Sequence, residues 1–194
     1  AGQTQSAAAG SGKIVNIGVT SSLNTLNPLL MDGVEMNKYA TGLMFLPLVE
    51  LDQNMEFEGM LADSVTAEDE RNFLVHIDDK ADGTPVTADD VVYTALRLCS
   101  PVIGNPAMMY YVFEGVGDNG FVEEGADHVE GITRVDDKTV RFTTKAPMSL
   151  ITFNSSYARY LMPLPKHVIG DIDEKALTSA PWFSRPDVVS GPYK

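Results

Sequence analysis

One helix is written into this chain more plainly than any other element. Thr87 followed by Asp90 has the T-x-x-D spacing of a capping box, in which two side chains satisfy each other's backbone N–H groups. Asp89 and Asp90 put two carboxylates in the first turn, where the helix dipole favours anions. From Ala88 to about Cys99, the residues Val91, Val92, Ala95, Leu96 and Cys99 share one face, and Pro101 stops the run. A helix with one apolar stripe must bury that stripe against other elements. The flanking segments have period two instead. Residues 60–67 lead into an acidic turn over 68–72, and Phe73-Leu74-Val75-His76-Ile77 alternates in and out, which predicts a β-hairpin. Residues 132–135 and 139–144 flank Asp136-Asp137-Lys138, with Val140 and Phe142 alternating against polar neighbours, which predicts a second hairpin.

The remaining segments are less regular. Ile14-Val15-Asn16-Ile17-Gly18-Val19 is apolar on both faces except at Asn16 and reads as a central strand of a parallel sheet. Turn formers fill residues 21–28, and Pro28 forces an extended conformation on Asn27. Met36, Tyr39, Ala40, Leu43 and Met44 recur at helical spacing, which predicts an amphipathic helix over 34–46 that Pro47 ends. A short strand over 48–52 and a turn at Gln53-Asn54 follow. Residues 102–131 are punctuated by Gly and Asn, and only a short helix around 108–113 emerges. Residues 147–157 predict a short helix packed on the second hairpin. Pro163 and Pro165 break regular structure, and the tail to Lys194 reads as loop, with Trp182 its one large anchor. Strands, hairpins and isolated helices together give an α/β or mixed α+β fold class.

Composition narrows function by exclusion. Twenty-seven acidic against fourteen basic residues leave a net charge of −13, which repels phosphates and anionic headgroups. Nucleic acid and direct membrane-surface binding are therefore poor fits. At 44% hydrophobic the chain has material for a real core. It has no run near the roughly 18 apolar residues that span a bilayer, and the first thirteen residues contain no signal-peptide core. Cys99, the one cysteine, sits among apolar helical neighbours and reads as a buried, inert thiol.

No catalytic motif survives inspection. Gly115-Val116-Gly117-Asp118-Asn119-Gly120 matches G-x-G-x-x-G, but Glu123, Glu124 and Gly125 follow where a phosphate-binding helix should start, so it reads as a loop. His76, His128 and His167 lack metal-ligand spacing. The pairs Asp78-Asp79, Asp89-Asp90 and Asp136-Asp137 sit at turns or caps, where carboxylates serve backbone N–H groups. No G-x-S-x-G elbow exists. Neither enzyme chemistry, nor a metal, nor a cofactor is indicated.

Taken in order, several blocks resemble a known family. Leu61-Ala62-Asp63-Ser64, the hairpin ending Phe73-Leu74-Val75-His76-Ile77, and Asp82-Gly83-Thr84-Pro85-Val86-Thr87-Ala88-Asp89-Asp90-Val91 resemble the signature of the family 5 extracellular solute-binding proteins, the peptide- and nickel-type receptors of ABC importers. Thr25-Leu26-Asn27-Pro28, Val135-Asp136-Asp137-Lys138-Thr139-Val140, Pro163-Leu164-Pro165-Lys166-His167 and Ser190-Gly191-Pro192-Tyr193-Lys194 extend the likeness across residues 14–194. Asp78 stands where members usually carry a basic residue, and Lys80-Ala81 where an aromatic precedes Asp-Gly.

The resemblance implies the N-terminal part of a periplasmic-binding-protein type II-like fold, mostly the family's extra domain. Members are considerably longer, so the chain is expected to be a fragment. Residues 1–13 would form a flexible tether of a lipoprotein kind. Residues 14–33 would give the first strand and cleft loop of lobe one, 34–168 the extra α+β domain, and 169–194 the return toward lobe one. In the intact receptor, two lobes would close on a peptide and deliver it to a membrane permease. Asp32-Gly33-Val34 is similar to the family's cleft segment: Asp32 would meet the peptide ammonium, and Gly33 would let its backbone approach. Ser21, Ser22, Tyr110 and Tyr111 are further candidate ligand contacts. A nickel or other small-solute receptor, an enzyme and a structural interaction module remain the alternatives. The chain by itself is expected to fold without binding peptide tightly.

Overall fold

The computed structural model describes residues 18, 20–32, 34–78 and 85–193. The expected opening strand over 14–19, the Asp82-Gly83-Thr84 turn and Gly33 lie outside the described residues, Gly18 excepted. The capping box forms: the Asp90 carboxylate accepts the Thr87 backbone N–H at 2.9 Å, and helix α2 spans Ala88–Leu98. Both hairpins form as well. β3 (Ala62–Ala67) pairs with β4 (Asn72–Ile77), and β5 (Ile132–Arg134) pairs with β6 (Thr139–Thr143). β4 and β6 join antiparallel, so the hairpins merge into one sheet of order β3-β4-β6-β5.

The register explains the core. Phe73 faces Phe142, and Val75 faces Val140, which puts all four on the same side of the sheet. Helix α3 (Leu150–Phe153) and the π-turn Asn154–Ala158 that continues it lay Phe153 and Tyr157 on this face. Phe153 stacks on Phe73 at 4.5 Å and meets Phe142 edge-on at 5.3 Å, while Phe113 closes the cluster against both Phe153 and Tyr157. Helix α2 packs on β5, on β6 and on α4 (Lys166–Ile169). Asp90 and Thr94 fix that last contact, since the Asp90 Oδ1 accepts Lys166 N–H and the Thr94 hydroxyl accepts Leu164 N–H, both at 2.8 Å.

Three expectations need correction. The helix predicted over 34–46 is α1, Glu35–Gly42, and its apolar stripe is not the buried one. Tyr39 and Leu43 are 60% and 42% exposed, whereas Asn37 and Thr41 are fully buried. Buried hydrogen bonding by Asn37 outweighs apolar spacing at this position. The helix also stops before Leu46, and a distant segment takes up the carbonyls that this leaves open. Pro47 has no N–H to donate to the Leu43 carbonyl; Tyr193 donates to it instead at 3.1 Å, and Gly191 donates to Met44 O at 2.7 Å. A Cβ on Gly191 would lie 2.4 Å from the Leu43 oxygen, so this docking needs glycine.

The tail is more structured than a loop. After α4 come α5 (Glu174–Leu177), whose first turn Asp173 caps, and a 3-10 turn at Pro181–Ser184. Trp182 is half-buried against Phe45, and Phe183, 3% exposed, is the deeper anchor. Finally, β1 (Val49–Leu51) has a partner with no period-two signature long enough to see, β2 (Phe57–Gly59).

Candidate functional site

Gly115 to Gly120 form a closed turn: Gly120 N–H bonds Gly117 O at 2.9 Å, Gly117 N–H bonds Phe121 O at 2.7 Å, and no helix follows. Without a helix N-terminus there is no phosphate cradle. Among the described residues, no group of three or more His, Cys, Asp or Glu side chains could hold a metal. Burial pushes the Cys99 thiol up to about 12, which leaves it protonated and unreactive at neutral pH.

A cleft of about 240 Å³ does gather candidate residues. One wall comes from residues 24–32 with Val34, which the chain holds with side-chain bonds. Thr25 Oγ1 accepts Asn27 N–H, and Asn27 caps the 3-10 turn Pro28–Leu30 through Leu29 N–H, each at 3.0 Å. Asn27, 4% exposed, also donates to Leu177 O at 3.0 Å, across 150 residues of sequence. Asp32 then forms an Asx turn, its Oδ1 accepting Val34 N–H at 3.0 Å. The same oxygen accepts from Asn37 Nδ2 at 3.0 Å, and the Asp32 side chain remains exposed beside the cleft.

The opposite wall is the loop 105–110. Asn105, 3% exposed, donates to Leu29 O at 2.8 Å and accepts from Ala107 and Met108 N–H, so it ties this loop to the first wall. Met108 takes a left-handed conformation at φ 47°, and the 3-10 turn Met109–Val112 follows. Tyr110 lines the cleft with its ring edge-on to Tyr157 at 6.3 Å; burial pushes its hydroxyl well above the ordinary range, with Cys99 and Tyr157 adding to it. At the rim, Lys38 pairs with Glu50 at 3.8 Å and lies 5.0 Å from the Tyr160 ring centre. The π-turn brings Arg159 onto the same Glu50 carboxylate.

Of the residues singled out from sequence, Asp32, Val34 and Tyr110 line this cleft. Ser21 and Ser22 are exposed and lie apart from its lining, as does Tyr111, which is 50% exposed. Sequence reasoning missed Asn37, Asn105, Met31, Lys38, Met109 and Tyr160. Methionines and polar residues at helical or loop positions carry no local mark of a cleft. A larger groove of about 750 Å³ follows α2 and α4, but its buried carboxylate, Asp90, is already committed to backbone N–H groups.

The architecture has close counterparts. The chain is 29% identical over 196 residues to the peptidoglycan-binding protein YepA of Agrobacterium fabrum, covering 93% of this chain and 28% of that protein. It is 27% identical over 164 residues to the periplasmic oligopeptide-binding protein OppA of Escherichia coli, covering 80% of this chain and 29% of that one. The chain thus spans under a third of the length of these curated relatives. The structure of Burkholderia pseudomallei OppA superposes with a TM-score of 0.68 at 22% identity, over 88% of this chain and 33% of that chain, which fixes the fold. The profile of the bacterial extracellular solute-binding proteins, family 5 Middle, matches residues 56–194. That match takes in both hairpins, α2, the aromatic core and the docked tail, and the chain belongs to the bacterial extracellular solute-binding proteins, family 5.

Proposed function

We propose that this chain is part of an extracytoplasmic receptor that captures peptides between two lobes and hands them to a membrane ABC permease. Within it, residues 14–33 and 169–194 belong to lobe one and 34–168 to the extra domain, with the small, polar residues 1–13 a tether that suits a lipid-anchored protein. The observation that carries this reading is the convergence of exposed Asp32 with Val34 and Tyr110 on one cleft, in a chain of a solute-binding family. The name of one relative, the oligopeptide-binding protein OppA, supports peptide as the cargo.

The chemistry follows from the geometry. Asp32 offers a carboxylate to a peptide ammonium, a charge-assisted bond. Pro28, Met31, Leu98 and Met109 give the cleft an apolar, polarisable wall that adapts to varied side chains. The backbone of Val34 is already used, its N–H by Asp32 and its carbonyl by Asn37 N–H. A peptide added as a strand would therefore pair with residues ahead of Val34. Gly33, outside the described residues, and the serines at 21 and 22 stay in the proposal as flanking contacts, with Tyr111 a weaker one.

The test is calorimetric titration of the complete receptor with tri-alanine, N-acetyl-tri-alanine and nickel–histidine. Binding of the free-amine peptide, weakened about tenfold by acetylation or by Asp32→Asn, supports the reading. Heat from the nickel complex alone would replace peptide with metal-chelate cargo. Without the second lobe that would close on the ligand, the present chain should give no measurable heat with tri-alanine.

A further inference from the structure

Asn37 is fully buried in α1, yet its side chain makes three bonds that reach outside the helix. Its Oδ1 accepts the backbone N–H of Asn24 at 2.9 Å and of Thr25 at 3.5 Å. Its Nδ2 donates to Asp32 Oδ1 at 3.0 Å. A primary amide is suited to this task, because it presents an acceptor and a donor from one rigid plane. An aspartate at 37 would offer oxygens alone and face Asp32 with like charge. A serine would be too short to reach both sides, and a leucine would leave two backbone donors and a carboxylate oxygen without this partner.

We propose that Asn37 is the positioning residue of the cleft: its buried amide selects the Asp32 rotamer and locks the Asp32 turn to the Asn24–Thr25 backbone. Asp32 is exposed, and an exposed carboxylate ordinarily samples several staggered rotamers. Here the second bond comes from a side chain that the helix and its own burial hold still. Preorganisation of this kind lowers the ordering cost that a ligand would otherwise meet. The inference rests on the reading that Asp32 meets ligand only for its functional consequence; the positioning itself is a property of this chain.

The two parts separate experimentally. In the chain as it stands, three-bond couplings report the Asp32 χ1 populations by NMR. Wild type should show one rotamer. Asn37→Ser and Asn37→Asp should both give averaged couplings, while amide protection of Phe73 and Val75 in the sheet stays unchanged. Asn37→Asp keeps the volume and the acceptor for Asn24 and Thr25, so it reads positioning even where the serine variant folds poorly. A single Asp32 rotamer surviving in Asn37→Asp overturns the proposal. In the complete receptor, Asn37→Ser should weaken tri-alanine binding about tenfold. Averaged couplings with tri-alanine affinity untouched by Asp32→Asn would uphold the positioning and refute the ligand role of Asp32.

Discussion

Replacing Asp90 with alanine should cost this fold more than any other single carboxylate. Asp90 is 6% exposed and serves two elements at once. Its Oδ2 accepts from the Thr87 N–H at 2.9 Å and from the Thr87 hydroxyl at 3.0 Å, closing the start of α2. Its Oδ1 accepts the Lys166 N–H at 2.8 Å, where α4 begins. Loss of the cap costs about 1 kcal/mol, and a partly buried Lys166 N–H left without a partner costs about 1–3 kcal/mol more. The sum is about 2–4 kcal/mol, or a fall in Tm on the order of 5–12 °C for a chain of this size. Urea unfolding followed through Trp182, the one tryptophan, and by circular dichroism reads the change directly. Asp90→Asn keeps one oxygen acceptor and should lose roughly half as much. An Asp90→Ala variant within about 0.5 kcal/mol of wild type would refute the assignment of Asp90 as the α2–α4 clamp.

Other outcomes follow from the same structure. Phe153→Ala removes the ring at the centre of the aromatic cluster and should destabilise the fold by about 3–5 kcal/mol, read from the urea midpoint, with Phe153→Leu costing less. Cys99, fully buried with its thiol raised to about 12, should resist Ellman's reagent at pH 8 until urea unfolds the chain. A hydrogen bond from Arg141 holds the Glu68 carboxyl below its ordinary value, and bonds from Arg71 N–H and Asn72 do the same for Asp69. Groups depressed in the folded state stabilise it above their unfolded pKa and lose that contribution as pH falls through the folded one. The urea midpoint should therefore drop below about pH 4.5, and Glu68→Gln should flatten that slope; a steeper loss in the variant would reverse the sign.

Much of the scaffold was legible because its signals are local. The T-x-x-D cap, the period-two arms around Asn72 and Thr139, the stop at Pro101 and the turn-bound carboxylate of Asp136 each follow from residues within a few positions of one another. The blocks that resemble the family sit at these same places: Asp90 is its cap and clamp, and Gly191 is where the tail meets α1. What the sequence missed has long-range causes. Tyr39 and Leu43 look like core and are exposed, because the face of α1 that turns inward is set by Asn37 and its bonds to Asp32, Asn24 and Thr25.

The chain's own pattern determined the capped helix α2, the two hairpins and the acidic net charge. Tertiary structure alone decided which face of α1 is buried, how the tail docks, and that Asp32, Val34 and Tyr110 meet in one cleft. The reason is physical. Periodicity reports how a segment divides water from core along its own length, whereas the contacts that build the cleft join Asn27 to Leu177 and Leu29 to Asn105, and such pairings leave no trace in either segment taken separately.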